Sequence, residues 1–337
     1  MKINLFKFSE LQKRNYVSIR QHNSADLLIL NYTAKCQYDK YWTEETLMCR
    51  GLITDLEGDV KARPFKKFFN LQEVDEIPDG DFHVYEKYDG SLGILYWIED
   101  KPYLATRGSF MSDQAIKGTE MLKTYDTSKL DRTKTYLFEI IYSDNRIVVD
   151  YKGEEKLVLL AIIDTETGKE HALESDVFET AKLFDGLDLE GIKAMDDNVE
   201  DEGFVLKWPN GYRLKYKFSE YIRLHRLLTQ CTARSIWDLM RLGRPLDELL
   251  ERVPDEFYQW VRAKKHHFIN EFDRLMSEAE DDFKKVKNLP RKEAALYLVD
   301  NSKVKHLVFS LMDGKDIEGQ IWKMLYPSHE VPFKTEN

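Results

Sequence analysis

Lys87-Tyr88-Asp89-Gly90-Ser91 stands where one β-prone run, 83–87, ends and another, 92–98, begins, so it places an amine at a strand end. A free lysine has a pKa of about 10.4 and is protonated at neutral pH. It becomes a usable nucleophile only where neighbouring cations or desolvation favour the neutral amine. Asp-Gly between apolar runs is equally a hairpin signal, so the nucleophile reading requires other charged groups nearby. The segment 202–217, from Glu202-Gly203-Phe204-Val205-Leu206-Lys207 to Lys215-Tyr216-Lys217, supplies them. Its central Asn210-Gly211 predicts a two-residue hairpin loop that pairs Pro209 with Tyr212, Leu206 with Lys215 and Phe204 with Lys217. Opposed residues share a sheet face and side chains alternate. Glu202, Phe204, Leu206, Lys215 and Lys217 are therefore expected on one side, a surface suited to a nucleotide phosphate. A slip of one residue would part Glu202 from the lysines. Glu139 is a carboxylate inside the apolar run 138–142, which calls for a partner, a metal or an outward orientation. Arg50-Gly51 and Arg63-Pro64-Phe65-Lys66-Lys67-Phe68-Phe69-Asn70 are two further groups carrying cations.

The elements that must hold these residues differ between the two halves of the chain. Short runs rich in Val, Ile, Tyr and Phe and bounded by Gly, Asp and Asn predict strands at 27–33, 49–55, 83–87, 92–98, 103–106, 136–142, 146–151, 157–164, 203–208 and 212–218. Helices are expected between them at 113–124 and 174–183. From Tyr221 the pattern turns helical: Phe257, Trp260, Val261, Phe268, Phe272, Leu275, Met276, Ala279 and Phe283 recur at three- and four-residue steps. Pro290 is expected to open the next helix. The expected class is α+β, with a sheet-containing domain over 1–224 and an all-α domain over 225–337.

Composition limits the partners. At 337 residues and 39.9 kDa the chain suits two domains, and 42% hydrophobic with 33% charged residues suits a packed core. The longest apolar run, 157–163, is far short of the ~20 residues that span a bilayer, and no secretory signal follows Met1-Lys2. Cys36, Cys49 and Cys231 are too few and too scattered for a disulfide framework or a zinc site. The expectation is a soluble intracellular protein, in the host cytoplasm if virus-encoded. The formal net charge is -10. From His225 onward 19 basic and 19 acidic residues cancel, leaving 31 basic against 41 acidic in residues 1–224. No long-range field draws polyanions in, so phosphate binding must come from local Lys and Arg clusters.

In their order and spacing these pieces resemble the motifs of covalent nucleotidyltransferases, the polynucleotide ligases and mRNA capping enzymes: KxDG, a glutamate in an apolar strand, EGxVxK and KxK. Lys87-Tyr88-Asp89-Gly90 resembles the first, Phe138-Glu139 the second, Glu202 through Lys207 the third and Lys215-Tyr216-Lys217 the fourth. Cys49-Arg50-Gly51, Arg63-Pro64 with Lys67-Phe68-Phe69-Asn70, Gly108-Ser109, Asn145-Arg146-Ile147-Val148, Tyr221 and Leu224-His225 narrow the likeness. They point to the RNA ligase 1 family typified by bacteriophage T4, over residues 45–225.

That resemblance implies a nucleotidyltransferase domain of antiparallel sheets with flanking helices. It implies an ATP-dependent RNA ligase that joins 3′-hydroxyl and 5′-phosphate ends through AMP carried on Lys87, in RNA or tRNA repair. Lys215 and Lys217 would hold the α-phosphate and depress the Lys87 pKa. Glu139 and Glu202 would bind Mg²⁺, or Mn²⁺, through waters. Arg50, Lys67 and Arg107 are candidates for phosphates, Asp89 and Gly90 for placing the lysine or ribose, and Tyr221 for the pyrophosphate. Where this sequence has Arg107, the family often has lysine. Asp247 and Glu248 are candidate second-metal ligands or simply an exposed helix start, and the basic groups 262–265 and 284–292 could touch RNA or form a solvated face. The helical region, 225–337, is a candidate RNA-specificity domain; it matches the family poorly beyond His225. Expected partners are RNA ends, single-stranded or in cleaved tRNA, and no membrane. Separate end-healing kinase and phosphatase proteins are expected because no GxxxxGK[ST] motif is present. The alternatives are a capping-type guanylyltransferase, a DNA ligase or an RNA-end-binding module without catalysis; a helical rather than β-barrel pattern after Lys217 disfavours the first two.

Overall fold

A computed structural model describes residues 1–145, 148–196, 198, 200–250, 253 and 255–332; the side chains of residues 144, 248, 255 and 256 lie outside that description. The chain divides into two compact units, Met1–Ile222 and Arg223–Asn337.

The first unit carries fourteen described strands: β1 Val17–Gln21, β2 Leu27–Tyr32, β3 Arg50–Asp55, β4 Val60–Ala62, β5 Phe69–Asn70, β6 His83–Glu86, β7 Ser91–Ile98, β8 Lys101–Ala105, β9 Lys134–Ile141, β10 Lys156–Asp164, β11 Glu179–Thr180, β12 Leu183–Phe184, β13 Gly203–Lys207 and β14 Arg213–Lys217. They form three sheets, ordered β1-β2-β3-β4, β11-β10-β9-β7-β8 and β12-β6-β13-β14-β5. Pairing is antiparallel except at two short junctions, β10 with β11 and β14 with β5.

Burial explains the layering. Leu27, Ile29, Ile53 and Ala62 of the first sheet pack with Ile94, Tyr96, Leu137, Ala161 and Ile163 of the second. The reverse face of the second sheet, with Leu95, Leu104, Phe138, Ile140, Leu157 and Leu159, is covered by Met121 and Leu122 of the helix Asp113–Leu122. Ser112 caps that helix by accepting the Ala115 N–H. Because Leu137 and Glu139 lie on the same face of β9, the strand that fills the core with Leu137 also turns the Glu139 carboxylate toward the space left between sheets.

Two expected elements are not found among the described residues. Residues 174–183 form no helix; β11 and β12 occupy part of the segment. Phe178 packs its ring 4.7 Å from those of Phe138 and Tyr125, and the Ala181 N–H donates to the Leu159 carbonyl, so pairing along β10 overrides local helix propensity. Of the expected strand 146–151, residues 146 and 147 lie outside the described residues and 148–151 form none. The Val148 and Val149 N–H groups donate instead to the Asp89 carboxylate.

The second unit is helical, with Ala233–Arg241, Asp247–Leu250, Asp255–Val286, Arg291–Asn301, Lys305–Met312 and Glu318–Met324. The 32-residue helix buries Phe257, Val261, Phe268, Leu275, Ala279 and Val286 along one face. Pro290 immediately precedes the next helix. In the basic groups, Lys264 pairs with Glu330, Lys284 with Asp281, Lys285 with Asp282 and Arg291 with Asp313. Among the described residues no helix is long and apolar enough to cross a membrane, and Cys36, Cys49 and Cys231 are free and buried.

Candidate active site

The β13–β14 hairpin is shifted by one residue from the expected register. Val205 opposes Lys215 and Gly203 opposes Lys217, while Phe204 opposes Tyr216. The loop holds three residues rather than two: the Trp208 N–H donates to the Tyr212 carbonyl, the Gly211 N–H to the Trp208 carbonyl, and Gly211 takes φ +83°. This is a turn followed by a left-handed glycine, the usual three-residue solution. Phe204, Leu206, Leu214 and Tyr216 are consequently buried on one face. Gly203, Val205, Lys207, Arg213, Lys215 and Lys217 share the other, so Phe204 and Leu206 leave the lysine face on which they were expected.

Glu202 nevertheless meets the lysines, because Gly203 breaks the alternation. Its φ is +138°, and a Cβ there would lie 2.1 Å from the Tyr216 carbonyl oxygen and 2.9 Å from the Lys217 Cα. That turn brings the Glu202 carboxylate, 3% exposed, to the lysine side of the sheet. The Gly203 carbonyl also accepts the Lys87 N–H at 2.9 Å, which fixes Lys87 directly beyond β6.

Lys87 Nζ donates to Glu202 Oε2 at 2.7 Å, and Lys217 Nζ pairs with Glu202 Oε1 at 2.6 Å, so one buried carboxylate bridges two ammonium groups. The expected lowering of the Lys87 pKa is not found. Burial acts to lower it, but the carboxylates of Glu202, Glu139 and Asp89 outweigh burial and raise it. Lys215 is instead depressed: burial, then Lys67, Lys87, Lys217 and Arg50, push it down to about 7. Glu139 is moved oppositely. Burial, with Glu202 and Asp89 adding to it against Lys87, raises its carboxyl to about 7. The Gly90 N–H donates to Glu139 Oε1 at 3.1 Å, and a Cβ on Gly90 would stand 2.6 Å from the Ile140 carbonyl oxygen, so only glycine fits this approach.

Arg50, Lys67, Gly90, Arg107, Glu139, Lys215 and Lys217 line one cavity with Lys87. Arg50 Nη1 is buried without a hydrogen-bond partner, its guanidinium 5.4 Å from the Phe68 ring centroid. A buried guanidinium nitrogen without a partner is costly and marks a place for an anion. Arg107 donates to the Tyr32 hydroxyl at 3.2 Å, and Lys67 lies 4.5 Å from the Phe69 ring centroid. Asp89 and Tyr221 are bonded to each other. The Asp89 carboxylate accepts from Val148, Val149 and the Tyr221 hydroxyl at 2.8–2.9 Å, and its N–H donates to the Tyr151 hydroxyl. Tyr221 is buried, and Lys217 Nζ lies 4.8 Å from its ring centroid. Tyr221 thus links the Asp89 carboxylate to the Lys217 ammonium.

Asp247 begins the short helix Asp247–Leu250 and is exposed; the Glu248 side chain lies outside the described residues. Among the described residues no three His, Cys, Asp or Glu side chains are grouped to hold a metal. Sequence reasoning missed Tyr32, Tyr151 and Glu170. Glu170 pairs with Lys207 at 2.6 Å and with Arg213 at 2.5 Å. These contacts span 43 residues for Arg213 and 62 for Tyr151, and no periodicity announces them.

Lys215 gives a direct test. At pH 8 its amine is largely neutral, and an arriving phosphate favours the charged form, so nucleotide binding draws a proton from solvent. Calorimetry of ATP binding in EDTA, in buffers of different ionisation heat, is expected to show uptake of up to about one proton at pH 8. Lys215→Met is expected to lose most of it; unchanged uptake would refute the assignment.

The fold is that of the nucleotidyltransferase-type ligases. It is similar to an archaeal ATP-dependent RNA ligase at 17% identity and a TM-score of 0.51, covering 82% of this chain and 80% of that one. The chain belongs to the RNA ligase family of the T4 RNA ligase 1 type, whose model matches residues 48–222. Among relatives, an RNA ligase of Rhodothermus phage RM378 is 25% identical, covering 87% of this chain and 86% of the relative. A protein of Autographa californica nuclear polyhedrosis virus, named for bifunctional polynucleotide kinase and RNA ligase activity, is 28% identical over 62% of this chain. The match spans 35% of that viral protein's length.

Proposed function

We propose that the protein is an ATP-dependent RNA ligase that joins 3′-hydroxyl to 5′-phosphate RNA ends through an adenylate on Lys87. The observation that carries this reading is the buried Lys87–Glu202–Lys217 bridge beside a cavity lined by Arg50, Lys67, Arg107 and Lys215. Lys87 Nζ attacks the α-phosphorus of ATP, forming a phosphoramidate and releasing pyrophosphate. The 5′-phosphate of an RNA end takes the adenylate, and a 3′-hydroxyl then displaces AMP to seal the strand. Phosphoryl transfer depends mainly on positioning and charge neutralisation. Lys215 and Lys217 hold the α-phosphate, while Arg50, Lys67 and Arg107 receive the outer phosphates. Asp89 and Tyr221 keep the lysine end of β6 and Lys217 in place.

Glu139 and Glu202 fit a divalent cation. Buried Glu202 and half-buried Glu139 are hard oxygen donors near enough for the Glu202 charge to add to the rise in the Glu139 pKa, and two carboxylates suit a largely hydrated Mg²⁺, or Mn²⁺, sharing substrate phosphates. When bound it would supply positive charge that offsets the phosphates and the carboxylate field on Lys87. Burial, which already acts to lower the Lys87 pKa, then favours the free amine.

The site serves RNA repair, with 5′-phosphate and 3′-hydroxyl ends prepared by separate kinase and phosphatase proteins. The test is a joining assay with single-stranded RNA, nicked duplex and cleaved tRNA, each bearing those ends, beside labelling from ATP and GTP. Joining of RNA with ATP is expected. Preference for GTP would select a capping-type enzyme, joining of DNA alone a DNA ligase, and RNA binding without label an end-binding module.

A further inference from the structure

A second cavity adjoins the candidate site. It measures about 600 Å³ against about 240 Å³ for the first, and Phe65, Lys67, Phe68, Glu170 and Arg213 line both. This shared wall is held firmly. The Arg213 guanidinium bonds both oxygens of Glu170 at 2.5 Å and lies 4.5 Å from the Phe65 ring centroid, while Lys207 pairs with the same carboxylate at 2.6 Å.

Beyond the wall the cavity is lined by Phe69, Tyr212, Lys66, Arg63 and several apolar side chains. Four basic residues face one acidic residue, Glu170, and that carboxylate is already engaged by two cations. Lys66 is exposed and Tyr212 is 37% exposed, so a charge and an aromatic ring are open to a ligand. Cationic walls with available rings are how proteins hold single-stranded nucleic acid: phosphates meet the cations and bases stack on the rings. The volume falls in the range of pockets that enclose a small organic ligand.

The chemistry of the proposed reaction selects the strand. When the adenylate leaves Lys87, a 5′-phosphate oxygen forms a bond to the α-phosphorus and the phosphorus–nitrogen bond breaks, its electron pair returning to Nζ, which then takes a proton. In-line displacement requires the incoming oxygen to approach opposite Nζ, the side from which pyrophosphate left. Arg50, Lys67 and Arg107 are assigned to that side, and Lys67 also lines the second cavity. We propose that this second cavity holds the first nucleotide of the RNA strand that bears the 5′-phosphate, with the phosphate at Lys67 and the base against Tyr212. This assignment rests on the RNA ligase reading.

The test uses the full chain with Tyr212→Ala and Lys66→Ala, neither of which lines the nucleotide cavity. Label transfer from α-labelled ATP to protein is expected to stay within about twofold of wild type, which also reports intact folding. The KM for a 5′-phosphorylated single-stranded RNA, measured in formation of the adenylylated RNA, is expected to rise about tenfold for Tyr212→Ala, the size of one lost base stack. The KM for the 3′-hydroxyl strand, measured against pre-adenylylated RNA, is expected to stay unchanged. A rise in the 3′-hydroxyl strand's KM alone would place the other strand here and overturn the proposal, as would two unchanged KM values. A wild-type protein that takes no label would instead refute the ligase reading on which it stands.

Discussion

Lys87→Ala is expected to lose transfer of α-phosphate label from ATP by a factor on the order of 10⁴ or more, because its Nζ is the group proposed to form the bond to phosphorus. Lys87→Arg is expected to fare as badly: it keeps the charge beside Glu202 but offers no amine that can be deprotonated. The pair separates chemistry from electrostatics. Removing Lys87 altogether leaves Glu202 with Lys217 as its remaining cation at hydrogen-bond distance among the described residues, so Lys87→Ala alone could act through a disturbed carboxylate. Lys87→Arg preserves the ion pair in kind. Quantitative label incorporation with purified, AMP-stripped protein is the measurement. Substantial incorporation by either variant would remove Lys87 from the role.

Gly203→Ala is expected to cost about 2–6 kcal/mol and to abolish labelling with it. A methyl group there must occupy space 2.1 Å from the Tyr216 carbonyl oxygen, and the residue must keep a φ of +138°. Backbone strain of this kind costs about 1–3 kcal/mol, and forced overpacking about the same again. The backbone can escape only by rotating Gly203, which carries Glu202 away from Lys87 and Lys217 and withdraws the carbonyl that accepts the Lys87 N–H. Gly211→Ala is the control. Its φ is +83° with nothing within 4 Å of a new Cβ, so about 1–2 kcal/mol is expected, with labelling retained. Urea unfolding of the two variants beside wild type measures the contrast. Equal, mild effects would show that Gly203 is not the joint that sets Glu202.

The sequence carried the strands of the site well because their patterns are local. β3, β7, β9, β10, β13 and β14 fall within one or two residues of their expected spans, since each is an apolar run closed by turn residues. The hairpin register was less legible. Asn-Gly announces a turn but leaves the loop length open, and the slip exchanged Phe204 and Leu206 for Val205 and Lys207 on the lysine face. That Glu202 still reaches the lysines depends on the φ of Gly203, which no alternation rule contains. Charge states were the least legible. The lysines suggested that Lys87 would lose its proton readily, yet the carboxylates from β9 and from the residue before β13 raise its pKa, and Lys215 is depressed instead. Such shifts depend on burial and on groups brought together from segments more than 50 residues apart. The helix expected at 174–183 failed for a similar reason, because Phe178 finds Phe138 and Tyr125 only in the folded chain.

Since Lys215 is the amine nearer neutrality in the free site, the decisive question is which nitrogen carries the adenylate. Protein incubated with ATP and Mg²⁺, digested under alkaline conditions that preserve a phosphoramidate, and mapped by mass spectrometry answers it. The adenylate is expected on the peptide containing Lys87, lost on brief acid treatment and absent from Lys87→Arg. An adenylate on Lys215, or on no lysine at all, would contradict the account.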